Sequence, residues 1–171
     1  SEKELKLIDQ VSNQVKRNEF STGRALLKEG LKQLKFNIEF DLLREPSGAP
    51  LLPEGFIGSI SHTSSFAVAS VKRKLNEKGV GVDVESISRS VNEKIIGRYL
   101  FKDELESLPF KDRNEKLIRL FSAKEAYFKA FTDNKSLSDI KLFYDVSGFF
   151  IDQNFGIYVY QEILEDKYII S

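Results

Sequence analysis

Gly79-Val80-Gly81-Val82-Asp83-Val84-Glu85 alternates at a period of two, with Val80, Val82 and Val84 on one face and Gly81, Asp83 and Glu85 on the other. That pattern predicts a strand from Gly79 to Glu85 with its valines against a core. Two carboxylates two positions apart then point to the same side. Like charges so close repel unless a proton or a cation lies between them, and a hard divalent ion with oxygen ligands is one natural partner. The plainer reading is the solvated polar face of an edge strand, which is the commoner outcome for an isolated Asp-x-Glu.

Downstream, helical patterns cover about Glu93 to Leu108 and Asn114 to Phe131, separated by Pro109. The second contains Phe121-Ser122-Ala123-Lys124-Glu125-Ala126-Tyr127-Phe128-Lys129-Ala130-Phe131. Glu125 and Lys129 are one turn apart and read either as an intrahelical ion pair or as a third carboxylate ligand beside cations, Lys124 and Lys129, that bind phosphate. The tail from Ile140 to Ile170 is rich in Phe, Tyr, Ile and Val and broken at Ser147-Gly148 and Asn154, which predicts three or four antiparallel strands.

Upstream, the charged connection Lys72 to Lys78 is the expected boundary between two lobes. Phe66 to Val71 and Gly58 to His62 read as strands, the latter ending in Ser61-His62. Adjacent residues on an extended backbone point to opposite sides, so that pair is a poor nucleophilic dyad and suits hydrogen bonding to an anionic oxygen; a lone histidine bonded near a turn is the alternative. In the loop Glu45 to Gly55 repeated proline is expected to forbid regular structure, and a short extended run, Phe36 to Leu42, precedes it. Leu5, Ile8, Val11 and Val15, then Leu27, Leu31 and Leu34, predict one long amphipathic helix or two joined near Ser21-Thr22. Arg17, Arg24 and Lys28 share a face of it, which is either its wet side or a phosphate-binding stripe.

The whole chain bounds these readings. Its 171 residues include 26 Lys+Arg against 26 Asp+Glu, and the absence of net charge argues against a dedicated nucleic-acid or membrane-surface binder. With no Cys and a single His, thiolate chemistry and Cys/His metal sites are excluded, so any metal must sit on oxygen. No apolar run is long enough to span a bilayer and no charged-then-apolar leader opens the chain, so the cytoplasm is the expected compartment. The opening Ser-Glu-Lys, without an initiator Met, reads as the start of a trimmed chain. The class is mixed α and β.

The order of the pieces adds to what each says alone. The strand Gly79 to Glu85, about forty residues, and then Phe121-Ser122-Ala123-Lys124-Glu125-Ala126-Tyr127-Phe128-Lys129 resembles the signature of the 4′-phosphopantetheinyl transferase superfamily. Gly48-Ala49-Pro50 leading to Gly58-Ser59-Ile60-Ser61-His62-Thr63, and Arg17-Asn18-Glu19-Phe20 followed by Gly23-Arg24, resemble its larger, carrier-protein-activating branch, in the subgroup that includes the enterobactin synthetase D component. Ala49 stands where some relatives place a Lys, and Arg44 is a possible substitute.

The resemblance implies an α+β fold made of a pseudo-twofold pair of α/β lobes in one chain, here residues 1–74 and 79–171, with coenzyme A in the cleft between them. It implies a magnesium-dependent transfer of 4′-phosphopantetheine from coenzyme A to a serine of an acyl or peptidyl carrier protein, releasing adenosine 3′,5′-bisphosphate. Asp83, Glu85 and Glu125 are the implied metal ligands, Glu125 also the candidate base, and Lys124 and Lys129 the phosphate cations, with Lys129 on the leaving group. Arg17, Arg24, Ser61 and His62, and less centrally Lys28 and Lys16, are assigned to the 3′-phosphate. A monomer is expected, with no nucleic-acid or membrane partner. The competing functions are another magnesium-dependent phosphodiester-cleaving enzyme and a non-catalytic coenzyme A or carrier-binding module.

Overall fold

Near the start of the chain, Asn13 sets the first boundary: its side chain accepts the Lys16 N–H at 2.9 Å and caps a new helix. The structure, a computed structural model, describes residues 2–11, 13–37, 39–76, 79–131 and 136–171. Two helices, α1 (Glu2–Asp9) and α2 (Gln14–Gln33), therefore meet near Asn13 and not at Ser21-Thr22 as expected. Ser21 stays inside α2 because its hydroxyl donates back to the Arg17 carbonyl at 2.8 Å.

No strand forms among the described residues of 36–42. Leu42 gives its N–H to Glu4 at 2.9 Å and its carbonyl to Arg24 at 3.2 Å, so side chains take the place of a neighbouring strand. Phe36 packs edge-on against Phe56 instead, its centroid 5.0 Å away. In the proline-rich loop, β1 (Leu43–Arg44) pairs with β2 (Pro50–Leu51), contrary to the expectation of no regular structure. A two-stranded edge has room for a residue that cannot donate, and Pro50 occupies it.

Strands β3 (Phe56–His62) and β4 (Ala67–Arg73) form an antiparallel hairpin under α2. Gly23 and Gly30 let the helix approach closely: a Cβ at either would lie 2.5 Å from a methyl of Ile60 or Val71. Lys72 and Arg73 belong to β4, and residues 77 and 78 of the expected boundary lie outside the described residues.

The expected strand from Gly79 is laddered only at its end, β5 (Val84–Ser86), with Asp83 exchanging both backbone hydrogen bonds with Ser171 at 2.9 Å. The helical pattern of 93–108 resolves into α3 (Glu93–Tyr99) and α4 (Lys102–Glu106), because the Glu104 carboxylate turns back to accept the Phe101 N–H at 3.0 Å. Then comes α5 (Arg113–Ala130), capped by Asp112 and buried on most sides. A 3₁₀ turn, Leu137–Asp139, precedes five tail strands where three or four were expected: β6 (Phe143–Tyr144), β7 (Phe150–Asp152), β8 (Ile157–Val159), β9 (Glu162–Leu164) and β10 (Tyr168–Ile170). They form antiparallel sheets β6-β7-β8 and β5-β10-β9.

The main core gathers around α5, with Ile118, Leu120, Leu142, Phe150 and Ile169 at 0% exposure. Truncating any such Leu or Ile to Ala costs about 2–5 kcal/mol. Among the described residues no helix is long and apolar enough to cross a membrane.

Candidate active site

Why the acids of 79–85 meet α5 is written in the two glycines before them. A Cβ on Gly79 would lie 1.8 Å from the Ala130 carbonyl oxygen, and one on Gly81 would lie 1.9 Å from that of Ala126. No side chain fits there, so the segment lies against the helix backbone. Two residues further on, Asp83 reaches the same helix through Lys129, whose Nζ donates to Asp83 Oδ1 at 2.7 Å.

From the other half of the chain, β3 supplies two hydroxyls on one face. Ser59 Oγ accepts the Val82 N–H at 3.1 Å, and Ser61 donates to Asp83 Oδ1 at 2.8 Å while accepting from Lys129 Nζ at 3.0 Å. Ser61, expected at a ligand anion, is thus spent on a protein carboxylate. Asp83 is 4% exposed, and its Oδ2 is a buried side-chain oxygen without a hydrogen-bond partner among the described residues. An orphaned buried carboxylate oxygen is costly and calls for a donor or a cation.

Glu85 is ion-paired to Arg89 and pushed above the ordinary glutamate range by burial; Arg89 opposes that shift and the Asp83 charge adds to it. Burial also raises Glu125, opposed by the Lys129 charge and reinforced by Asp83 and Glu85. The three acids therefore feel one another. Among the described residues, however, no three acids are drawn to ligand spacing, and Lys129 and Arg89 sit on two of them. All-oxygen donors, mutual repulsion and a spare buried oxygen fit a hard divalent cation.

Through Glu125 and Lys129 this cluster meets a cleft of about 390 Å³, which they line together with Phe128 and with Phe20, Arg24 and Arg44 of the first half of the chain. Arg24 is buried, with its guanidinium 3.3 Å from the Phe20 ring centroid. Burial and the neighbouring Arg44 charge lower it to about 10, against the pull of Glu4. Two arginines whose charges act on each other at one cleft wall suit a doubly charged anion. His62 also lines the cleft, its Nδ1 3.4 Å from Glu19.

Other expected residues lie elsewhere. Lys124 is fully buried and donates to Glu104 and to the Tyr99 carbonyl, both at 2.7 Å, so it is not among the cleft's cations. The reason is helical geometry: five residues rotate a side chain by about 140° from Lys129, whereas Glu125 and Lys129 share a face. Arg17 spends its guanidinium on the carbonyls of Val11 and Asp9 at the end of α1. Lys28 is ion-paired to Glu4 at 2.7 Å in a separate groove, and against the upward push of burial this holds Glu4 at about 2. Lys16 stands exposed on the first turn of α2.

Sequence reasoning missed Arg89, Ser59, Phe20 and Glu104, and gave Arg44 only a passing place. Ser59 had a usable signal, since it shares a strand face with Ser61. Glu104 had none, because nothing local marks a surface-type acid as buried.

A family model described as "4'-phosphopantetheinyl transferase superfamily" matches residues 79–167, and one described as "4'-phosphopantetheinyl transferase N-terminal domain" matches residues 3–72. Among curated proteins, enterobactin synthase component D of Salmonella typhi is 39% identical over 94 residues, which are 52% of this chain and 37% of that protein. The 4'-phosphopantetheinyl transferase Npt of Nocardia iowensis is 34% identical over 84 residues, 48% of this chain and 37% of that protein. The 4'-phosphopantetheinyl transferase Svp of Streptomyces mobaraensis is 28% identical over 145 residues, 82% and 57% of the two chains. The chain spans well under two thirds of the length of these relatives.

Proposed function

This chain belongs to the 4′-phosphopantetheinyl transferase superfamily, and on that premise we propose that it transfers the phosphopantetheine arm of coenzyme A to a serine hydroxyl of an acyl or peptidyl carrier protein. In this reading the serine oxygen bonds to the β-phosphorus of the coenzyme, the bridging P–O bond breaks, and adenosine 3′,5′-bisphosphate leaves. The observation that carries it is the group Lys129–Asp83–Ser61, which meets the cleft through Lys129, with Asp83 Oδ2 buried and without a partner among the described residues and Glu125 lining the same cleft.

Asp83, Glu85 and Glu125 would hold magnesium. When bound, that ion would neutralise the pyrophosphate charge and so ease departure of the leaving group. Glu125, its carboxyl raised by burial, is poised to take the serine proton. Lys129 offers its ammonium to the departing phosphate. Across the cleft, Arg24 and Arg44 would bind the 3′-phosphate, with His62 at the edge and Phe20 and Phe128 giving the organic part of the coenzyme apolar contact.

The lobes are proposed as residues 1–74 and 79–171, related by a pseudo-twofold axis. Supporting this, each half packs one long helix, α2 or α5, against antiparallel strands. The working unit is proposed to be a cytoplasmic monomer, with siderophore or related peptide synthetases as the source of carriers. The test is mass spectrometry of apo carrier proteins incubated with the chain, coenzyme A and magnesium chloride. A phosphopantetheine mass increment is expected on the carrier serine; its absence from every acyl and peptidyl carrier tried would overturn the reading.

A further inference from the structure

Two of the three candidate ligand acids already carry a cation, each through one carboxylate oxygen. Asp83 meets Lys129 and Ser61 through Oδ1 alone, leaving Oδ2 spare for an incoming ion. Arg89 likewise meets Glu85 through one oxygen, Oε1; the Glu85 side chain is 8% exposed and that of Arg89 46%. The base of that arginine is fixed. Its N–H donates to the Ser86 carbonyl at 3.0 Å, and Asn114 on the first turn of α5 donates to the Arg89 carbonyl at 3.0 Å and the Ile87 carbonyl at 3.3 Å. While Arg89 holds Glu85, its tip already lies over the Phe121 ring, whose centroid is 5.6 Å from the guanidinium carbon.

A guanidinium and a divalent ion on one small carboxylate repel each other even when each takes its own oxygen, so either weakens the hold of the other. We propose that Arg89 is a positioning residue that competes with the divalent cation for Glu85: it holds the carboxylate while no metal is bound and draws back along the Phe121 ring, which it already touches, when the cation enters. This rests on Asp83, Glu85 and Glu125 being the metal ligands. The pinned backbone and half-exposed tip make the exchange local, so β5 need not move. Arg89 thereby sets how tightly the empty enzyme takes up its metal, and its displaced charge stays beside Phe121.

The experiment titrates the full chain with Mn²⁺, without coenzyme A, and reads free Mn²⁺ by electron paramagnetic resonance. Wild type is compared with Arg89→Gln, Arg89→Met and Arg89→Lys, each checked by thermal melt. Arg89→Gln and Arg89→Met are expected to bind Mn²⁺ about fivefold tighter, the scale of one part-exposed ion pair. Arg89→Lys should stay close to wild type, and the gap should narrow as salt rises. The methionine keeps the packing on Phe121, so it guards against a folding defect in the glutamine variant. Mn²⁺ binding by Arg89→Met that equals or falls below wild type overturns the competition while leaving the ligand assignment standing. No Mn²⁺ binding by any of the four proteins overturns the ligand assignment, and the competition with it.

Discussion

Helix α5 carries two lysines five residues apart, and each rests 2.7 Å from a carboxylate, yet the two pairs are built for opposite ends. Around Lys124 and Glu104 both side chains are 0% exposed and the acid's lone pairs are spoken for: Oε1 accepts from Leu142 N–H, Oε2 from Phe101 N–H and the lysine. This pair knots the α3–α4 junction to the start of the tail. Around Lys129 and Asp83 the lysine is 27% exposed, one carboxylate oxygen has no partner among the described residues, and the charges of Glu85 and Glu125 act nearby. Closing every hydrogen bond produces structure. Leaving one open beside a cleft stores a binding site.

The sharpest way to break this contrast is to swap which property each pair loses. Asp83→Asn should cut phosphopantetheine transfer by about a thousandfold, in line with removal of a group that stabilises developing charge, while the melting temperature holds or rises. Lys129→Ala should lower transfer by about a hundredfold, again with little change in melting. For Lys124→Met the outcome reverses: stability should fall by about 3–5 kcal/mol because Glu104 is left charged and buried, and the remaining folded enzyme should keep most of its turnover. Pairing Lys124→Met with Glu104→Gln should recover part of the lost stability, because the amide removes the buried charge while its oxygen can still accept one of the two backbone N–H groups. Calorimetry alongside a transfer assay distinguishes these cases, and a Lys124→Met protein that melts normally but is inactive would erase the contrast.

Gly81→Ala tests how the open pair is placed. Its Cβ would meet the Ala126 carbonyl, so the segment must shift; about 1–3 kcal/mol of stability and a larger share of activity should go together.

The smallest effect is in pH. Glu85 and Glu125 are raised above the ordinary value of 4.5, so between 4.5 and their folded values the folded chain binds more protons than the unfolded one. Stability therefore falls as pH rises through that window. Without metal, melting should improve on acidification from neutrality toward 4.5, and Glu125→Gln should flatten the slope. Below 4.5 the sign reverses at Glu4, whose folded value of about 2 means its contribution is lost as acid protonates it.

Much of the open pair was legible in the sequence because it is periodic. Alternation placed Asp83 and Glu85 on one face, and the four-residue step put Glu125 and Lys129 together. The same wheel, read one step further, separates Lys124 from Lys129. What stayed hidden is what depends on contacts distant in sequence. Leu42 is held out of a strand by Glu4 and Arg24, and Glu104 breaks a helix that its pattern favours, since a buried lysine twenty residues later demands its carboxylate. The break at Asn13 rather than Ser21 turned on which polar side chain faced outward to cap and which bent back to its own helix.

The most direct test of the central claim is the initial rate of carrier-protein modification, followed by mass, as magnesium chloride is titrated into wild type and Asp83→Asn side by side. Wild type should show saturable, magnesium-dependent transfer, and Asp83→Asn should remain near background at every concentration although it melts normally. Equal rates in the two proteins, or wild-type transfer indifferent to magnesium and to chelator, would contradict it.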